Sequence, residues 1–124
     1  MSEIKITLAL AAAMGAAGVM LLAAGSHAAP GNVTIAGQML LFHAPVLMAA
    51  ALARDASHLH AKLGRIAIVV LAAGLIVFSA DLALRGLGHG RLFAMAAPAG
   101  GTLTITGWVA LAAAAAFAPG RERG

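Results

Sequence analysis

Four long apolar stretches separated by short polar segments dominate the sequence. They cover approximately residues 4–24, 33–53, 66–85 and 92–118. Since an α-helix rises about 1.5 Å per residue, each stretch is long enough to cross the roughly 30 Å hydrocarbon core of a bilayer. Backbone polar groups must be satisfied internally in lipid, so each stretch is expected to be a helix. The pattern predicts an all-α integral membrane protein, a single membrane domain over residues 1–124 built as a four-transmembrane-helix bundle.

Turn-forming residues mark the connections between these stretches. Residues 29–32 predict a tight turn, residues 54–65 form the most polar connection, and the glycine-rich residues 86–90 predict a flexible turn. The motif Pro98-Ala99-Gly100-Gly101 is expected to interrupt the fourth helix near its beginning, either as a simple kink or as a late start of the helix, and its glycines permit close backbone approach. The first stretch also resembles a secretory signal, but its apolar run exceeds the roughly 7–15 residues of such signals, so a membrane span is the favoured interpretation.

The distribution of basic residues predicts the orientation. With four crossings, both chain ends and the middle connection share one side of the membrane. Six of the eight Lys and Arg residues belong to that side, namely Lys5, Arg54, Lys62, Arg65, Arg121 and Arg123. Basic residues are enriched in cytoplasmic loops, so both termini are predicted to be cytoplasmic.

Composition excludes several classes of function. Only 10% of the residues are charged and 62% are hydrophobic, whereas a soluble domain has about 25% charged residues. The net charge of +4 is scattered between apolar runs and forms no basic face, so no nucleic-acid partner is predicted. The chain has no cysteine, and it lacks a nucleophile motif, a phosphate loop and a dinucleotide fingerprint. We therefore predict a non-enzymatic protein with no metal site.

Asp81 is the most informative polar residue, because an ionised carboxylate within a membrane span is costly unless it is paired. Arg85 lies four residues later on the same helix face, so an intramembrane ion pair is sterically natural. One interpretation is that Asp81 lies at the membrane interface and pairs with Arg85 or Arg91. The other is a role in handling protons or ions.

Histidines are the remaining candidates for chemistry. His43 lies near the middle of the second stretch and is a candidate haem ligand, proton relay or substrate contact. The alternative is a neutral imidazole bonded to a carbonyl of a neighbouring helix, such as one freed by Pro45. His27 is a weaker haem candidate, with capping of helix-end carbonyls as the alternative. In the fourth stretch, the mid-span Trp108 is expected to pack against small residues or to line a cavity.

Short motifs directly after the first stretch and within the other three carry a family resemblance. They are Gly25-Ser26-His27, Phe42-His43-Ala44, Gly74 with Phe78-Ser79, Pro98-x-Gly100-Gly101 and Gly107-Trp108. Together they resemble the domain-of-unknown-function 423 family of small bacterial inner-membrane proteins, which has a eukaryotic relative called transmembrane protein 256. The resemblance implies a multi-pass protein of the bacterial inner membrane with four helices, and it implies no activity. The sequence departs from the family pattern at Leu40, where the family tends to have Gln, and at Ala80-Asp81, where it has Gly-Ser.

Three functional hypotheses follow. The leading one is a structural or accessory subunit of a larger membrane complex, whose partners are the lipid bilayer and other membrane subunits or further copies of itself. The second is a small oligomeric transporter or channel that uses His43, Asp81 and Arg85. The third is a membrane protein that binds haem or another cofactor through His43 or His27, although no cofactor is predicted by the leading hypothesis.

Overall fold

Four long helices make up the part of the chain that the structure describes. This computed structural model describes residues 1–27 and 31–120. Its helices are α1 (Glu3–His27), α2 (Asn32–Asp55), α3 (Ala61–Gly86) and α4 (Ala96–Ala116). Each is long and apolar enough to cross a membrane. The prediction of an all-α fold with four helices of membrane-spanning length and hydrophobicity is therefore confirmed.

Two helices begin at other residues than the sequence predicts. Helix α3 begins at Ala61 within the polar connection, because the His60 Nδ1 atom accepts a hydrogen bond of 3.2 Å from the N–H of Leu63 and caps the helix. Helix α4 begins at Ala96, directly after Met95 in the left-handed conformation with φ of 64°.

Of the two outcomes expected near Pro98, the structure has the late helix start, at Ala96, and α4 continues through Pro98 without a break in its assignment. Pro98 occupies the first turn of the helix, where a backbone N–H has no partner within the helix, so proline is tolerated there. Within the second span, α2 runs through Pro45 without a break in its assignment. Of the turn predicted at residues 29–32, residues 29 and 30 lie outside the described residues, and Gly31 has φ of 83°.

Consecutive helices pack against each other, α1 on α2, α2 on α3 and α3 on α4. One end of the bundle, here the terminal end, joins the start of α1, residues 56–60 and the end of α4. There the His60 N–H donates to the Ala114 carbonyl oxygen at 2.8 Å. The opposite end, here the loop end, contains residues 87–95 and brings Gly86 against Val33.

Small residues allow the helix backbones to approach closely. A Cβ atom added at Gly18 of α1 would lie 2.9 Å from the carbonyl oxygen of Gly37 in α2. A Cβ atom added at Gly74 of α3 would lie 2.8 Å from the carbonyl oxygen of Gly100 in α4. Close backbone contact replaces the hydrophobic driving force, which does not act between helices surrounded by lipid. A cluster of larger side chains fills the remaining interior, with Leu40, Leu47, Leu71 and Leu75 buried beside residues of α1.

Candidate functional site

A hydrogen bond between two mid-span side chains links α2 to α4. The His43 Nε2 atom lies 3.1 Å from the Trp108 Nε1 atom, and His43 Nδ1 lies 2.7 Å from the carbonyl oxygen of Met39. The two rings meet edge to face, with centroids 5.8 Å apart and an interplanar angle of 64°. An indole N–H only donates and a carbonyl oxygen only accepts, so these contacts require His43 to be neutral with its proton on Nδ1.

These contacts define what His43 can do in this arrangement. Its carbonyl partner belongs to its own helix, α2, rather than to a neighbouring helix as the sequence suggested. The neighbouring helix supplies the Trp108 donor instead. Ligation of haem iron uses the lone pair of an imidazole nitrogen, and the Nε2 lone pair already accepts the Trp108 N–H. Haem binding through Nε2 would therefore require the bond to Trp108 to break.

The His43–Trp108 pair lies on the outer surface of the bundle. The Trp108 side chain is 43% exposed and Phe42, next to His43, is 64% exposed. His43 itself is half-buried. Trp108 thus presents an aromatic surface outward at mid-span, although interfacial tryptophans normally lie near the ends of a span.

A second polar group lies towards the loop end. Asp81 is buried, and its Oδ2 atom lies 3.1 Å from an Nη atom of Arg85. Its Oδ1 atom accepts a hydrogen bond of 2.8 Å from the N–H of Leu92. Asp81 therefore neutralises Arg85 and also holds the connection between α3 and α4 against the end of α3. No ion pair joins Asp81 to Arg91 among the described residues.

The structure does not bring His43 together with the Asp81–Arg85 pair. His43 contacts Met39 and Trp108, whereas both Asp81 oxygens are occupied by groups near the loop end. Packed side chains fill the interior between the helices. A path that uses all three residues is not formed within one chain over its described residues.

A comparison with family models identifies the chain. Residues 11–101 match the model described as "Protein of unknown function (DUF423)". The chain belongs to the DUF423 family. Neither the curated proteins nor the solved structures gave a match.

The motif glycines of this DUF423 chain lie where helices touch. Gly25 of α1 contacts Thr34 of α2, and Gly74 and Gly100 face each other between α3 and α4. A Cβ atom added at Gly107 would lie 2.7 Å from the Cα atom of Leu71. Gly25, Gly74 and Gly107 stood out in the sequence through the family resemblance, and Gly100 also through its place beside Pro98. The structure gives all four a packing role. Gly101 differs, because its Cβ atom would meet only the Phe78 ring at 3.8 Å.

The other singled-out residues have simpler surroundings. Ser79 is buried, and its hydroxyl oxygen has no hydrogen-bond partner among the described residues. His27 is exposed in the last turn of α1. Within residues 1–27 and 31–120, no three His, Cys, Asp or Glu side chains form a group that could hold a metal ion.

Sequence reasoning missed one charged cluster at the terminal end. Glu3 lies 3.0 Å from an Nη atom of Arg54 and 3.0 Å from the Nε atom of Arg65, so it joins the starts of α1 and α3 to the end of α2. Glu3 is an acidic residue at the end of the bundle where Lys5, Arg54 and Arg65 lie. This acidic residue among basic ones was the signal in the sequence that could have predicted the ion pairs.

Proposed function

We propose that this protein is a non-enzymatic accessory subunit of the bacterial inner membrane that docks onto a larger membrane protein. The docking surface is the outer face of α2 and α4, here the α2–α4 face, formed by Phe42, His43, Ile105, Trp108 and Val109. The observation that carries the proposal is the outward-facing His43–Trp108 pair at mid-span.

The chemistry of the α2–α4 face suits a protein partner better than lipid alone. Ile105 and Val109 are 67% and 65% exposed and flank Trp108 on α4. Large aromatic side chains such as tryptophan are enriched among the residues that dominate protein interfaces.

The proposed orientation places the terminal end in the cytoplasm. The described basic residues Lys5, Arg54, Lys62 and Arg65 all belong to that end, and the proximity of His60 to Ala114 brings the end of α4 there as well. Arg121 and Arg123 follow α4 in the chain but lie outside the described residues. The bias of basic residues towards the cytoplasm supports this orientation. A cysteine-accessibility experiment with Ser2→Cys and Gly90→Cys tests it, since only the latter is expected to react from the periplasm.

Site-specific photocrosslinking in the native membrane tests the docking surface. A photoreactive phenylalanine analogue at Phe42 or Ile105 is expected to crosslink to one membrane protein, identified by mass spectrometry. The same analogue at Val19, which is 56% exposed on α1, is the matched control and is expected to give little of that product.

Two further readouts decide whether the crosslinked protein is a true partner. It should co-purify with the untagged chain at a fixed stoichiometry in mild detergent, and Trp108→Ala should reduce both the crosslink and the co-purification. Crosslinks at Phe42 and Ile105 that join only copies of this chain would contradict the accessory role. That result would direct attention to an oligomeric transporter, and to flux measurements with His43→Ala and Asp81→Asn.

A further inference from the structure

An open cavity lies between the end of α3 and the beginning of α4, at the loop end. Its volume is about 650 Å³, and its lining includes Phe78, Arg85, Arg91, Met95, Thr102 and Ile105. We propose that this loop-end cavity binds a phosphate group, and that the phosphate is the headgroup of an anionic phospholipid. The proposal does not depend on the accessory-subunit function.

The charges that line the cavity favour an anion. Asp81 is the acidic residue of the lining, and both its oxygens are engaged, one by Arg85 and one by the N–H of Leu92. Arg91 is exposed and makes no ion pair with any described residue. One Asp against two Arg leaves a net positive charge at the cavity, centred on Arg91.

Arg85 adds hydrogen-bonding capacity that Asp81 does not use. Its contact with Asp81 is made through one Nη atom, and the side chain is 31% exposed. Its Nε–H is buried without a hydrogen-bond partner among the described residues, so the donors open to the cavity are on the Nη atoms. A guanidinium group offers five N–H donors in a planar fork that matches the oxygens of a phosphate. The ion pair with Asp81 therefore holds Arg85 in place at the cavity while leaving donors unused.

The beginning of α4 contributes a second favourable field. Ala96 and Ala97 line the cavity in the first turn of the helix, and the preceding residue, Met95, provides no side-chain cap. The first N–H groups of a helix lack partners within the helix and carry partial positive charge. In α4 the Ala96 N–H already donates to the Phe93 carbonyl oxygen at 3.2 Å, and Pro98 has no N–H. The Ala97 N–H is therefore the donor of this turn that a phosphate oxygen beside it would accept from.

The apolar part of the lining favours a lipid over a free ion. Phe78 and Ile105 line the cavity away from the chain connection, and Ile105 is 67% exposed on the membrane-facing surface. The loop end also lies where a transmembrane bundle meets the headgroup layer. A phosphate bound to Arg85 and Arg91 would thus leave its acyl chains along α4.

Native mass spectrometry of the full chain in a non-ionic detergent tests the proposal. The delipidated protein is titrated with dioleoyl phosphatidylglycerol, dioleoyl phosphatidylcholine or inorganic phosphate. The first molecule of phosphatidylglycerol to bind is expected to have a higher affinity than the first molecule of phosphatidylcholine. Arg91→Gln should weaken phosphatidylglycerol binding about fivefold, because one basic residue near an anionic headgroup contributes about 1 kcal/mol. Arg91→Lys, which keeps the charge, should retain most of the affinity.

Lys62→Gln is the matched control, because Lys62 is an exposed basic residue of α3 at the opposite end of the bundle. It should leave phosphatidylglycerol binding unchanged. Equal affinity for the two lipids, or equal losses in Arg91→Gln and Lys62→Gln, would overturn the site. If inorganic phosphate binds in an Arg91-dependent way without any lipid preference, the phosphate site stands, but the assignment to a lipid headgroup is overturned.

Discussion

Gly100 and Gly101 are adjacent in the chain, yet a methyl group added at each position meets very different surroundings. At Gly100 the new Cβ atom would lie 2.5 Å from the backbone nitrogen of Phe78 and 2.9 Å from the carbonyl oxygen of Gly74. At Gly101 it would lie 3.8 Å from the Phe78 ring, an ordinary contact. Gly100→Ala and Gly101→Ala therefore form a matched pair that isolates the close crossing of α3 and α4.

The cost of Gly100→Ala follows from these distances. Non-bonded heavy atoms prefer separations of about 3.5–4.0 Å, so the backbones of α3 and α4 must separate by about 1 Å. Backbone atoms cannot rotate away as a side chain would, and the separation also loosens the contacts at Gly107. Overpacking typically costs about 1–3 kcal/mol, and we expect a loss near the upper end, about 3 kcal/mol of unfolding free energy. Gly101→Ala should leave stability unchanged or raise it by up to about 1 kcal/mol, because alanine favours helix more than glycine.

Equilibrium unfolding in mixed micelles of mild detergent and dodecyl sulfate measures the difference. Trp108 is the single tryptophan of the chain and reports on the α2–α4 contact by its fluorescence. A difference of about 3 kcal/mol between the two variants corresponds to more than about a hundredfold in the unfolding equilibrium constant. If Gly100→Ala unfolds at the same dodecyl sulfate fraction as Gly101→Ala, then the close crossing does not stabilise the bundle, and the reasoning fails.

Further predictions concern the polar contacts, with unfolding followed by circular dichroism. Asp81→Ala should destabilise the bundle more than Asp81→Asn, because the asparagine amide oxygen still accepts the hydrogen bond from the Leu92 N–H. We expect Asp81→Ala to lower the unfolding free energy by about 3 kcal/mol and Asp81→Asn by about 1–2 kcal/mol. The reverse order would contradict the geometry. A double-mutant cycle of His43→Phe and Trp108→Phe should give a coupling free energy of about 0.6–1.7 kcal/mol, whereas additive effects would show that the hydrogen bond contributes nothing. Glu3→Gln should lower the unfolding free energy by less than about 1 kcal/mol, because the Glu3 side chain is 57% exposed in both of its ion pairs. High salt should remove this difference between the variant and the natural sequence. A larger loss that salt does not alter would contradict the exposed position of Glu3.

The lengths of the apolar stretches and the turn-forming residues between them were sufficient to predict that the chain has four α-helices. Four apolar runs of bilayer length leave few alternatives, and the structure contains helices at all four. The helix starts were harder to predict, because they depend on individual caps. The His60 side chain extends α3 into a polar segment, and Pro98 fits the first turn of α4 instead of ending the helix.

The side-chain contacts were only partly accessible from sequence. The spacing of Asp81 and Arg85 pointed directly to their contact, because residues four apart share a helix face. The partner of His43 on α4 is separated from it by 65 residues, and no local pattern encodes which faces of α2 and α4 meet. The same limitation applies to the Asp81 bond to Leu92, since a backbone N–H leaves no signature in the residue type.

The two proposals share Ile105, which belongs to both the α2–α4 face and the cavity lining, but they depend on different further residues of the fourth span and its connection. Variants at those other residues should therefore separate them. The docking surface depends on Trp108 in the middle of the helix, whereas the loop-end cavity depends on Arg91 and the first turn. The two sites share no hydrogen-bond partner among the described residues, and substitutions without shared partners usually act additively. Arg91→Gln is thus expected to leave the crosslink at Phe42 intact, and Trp108→Ala should leave phosphatidylglycerol binding intact. Loss of both properties in either variant would instead mean that the lipid and the partner protein stabilise one common conformation of α4.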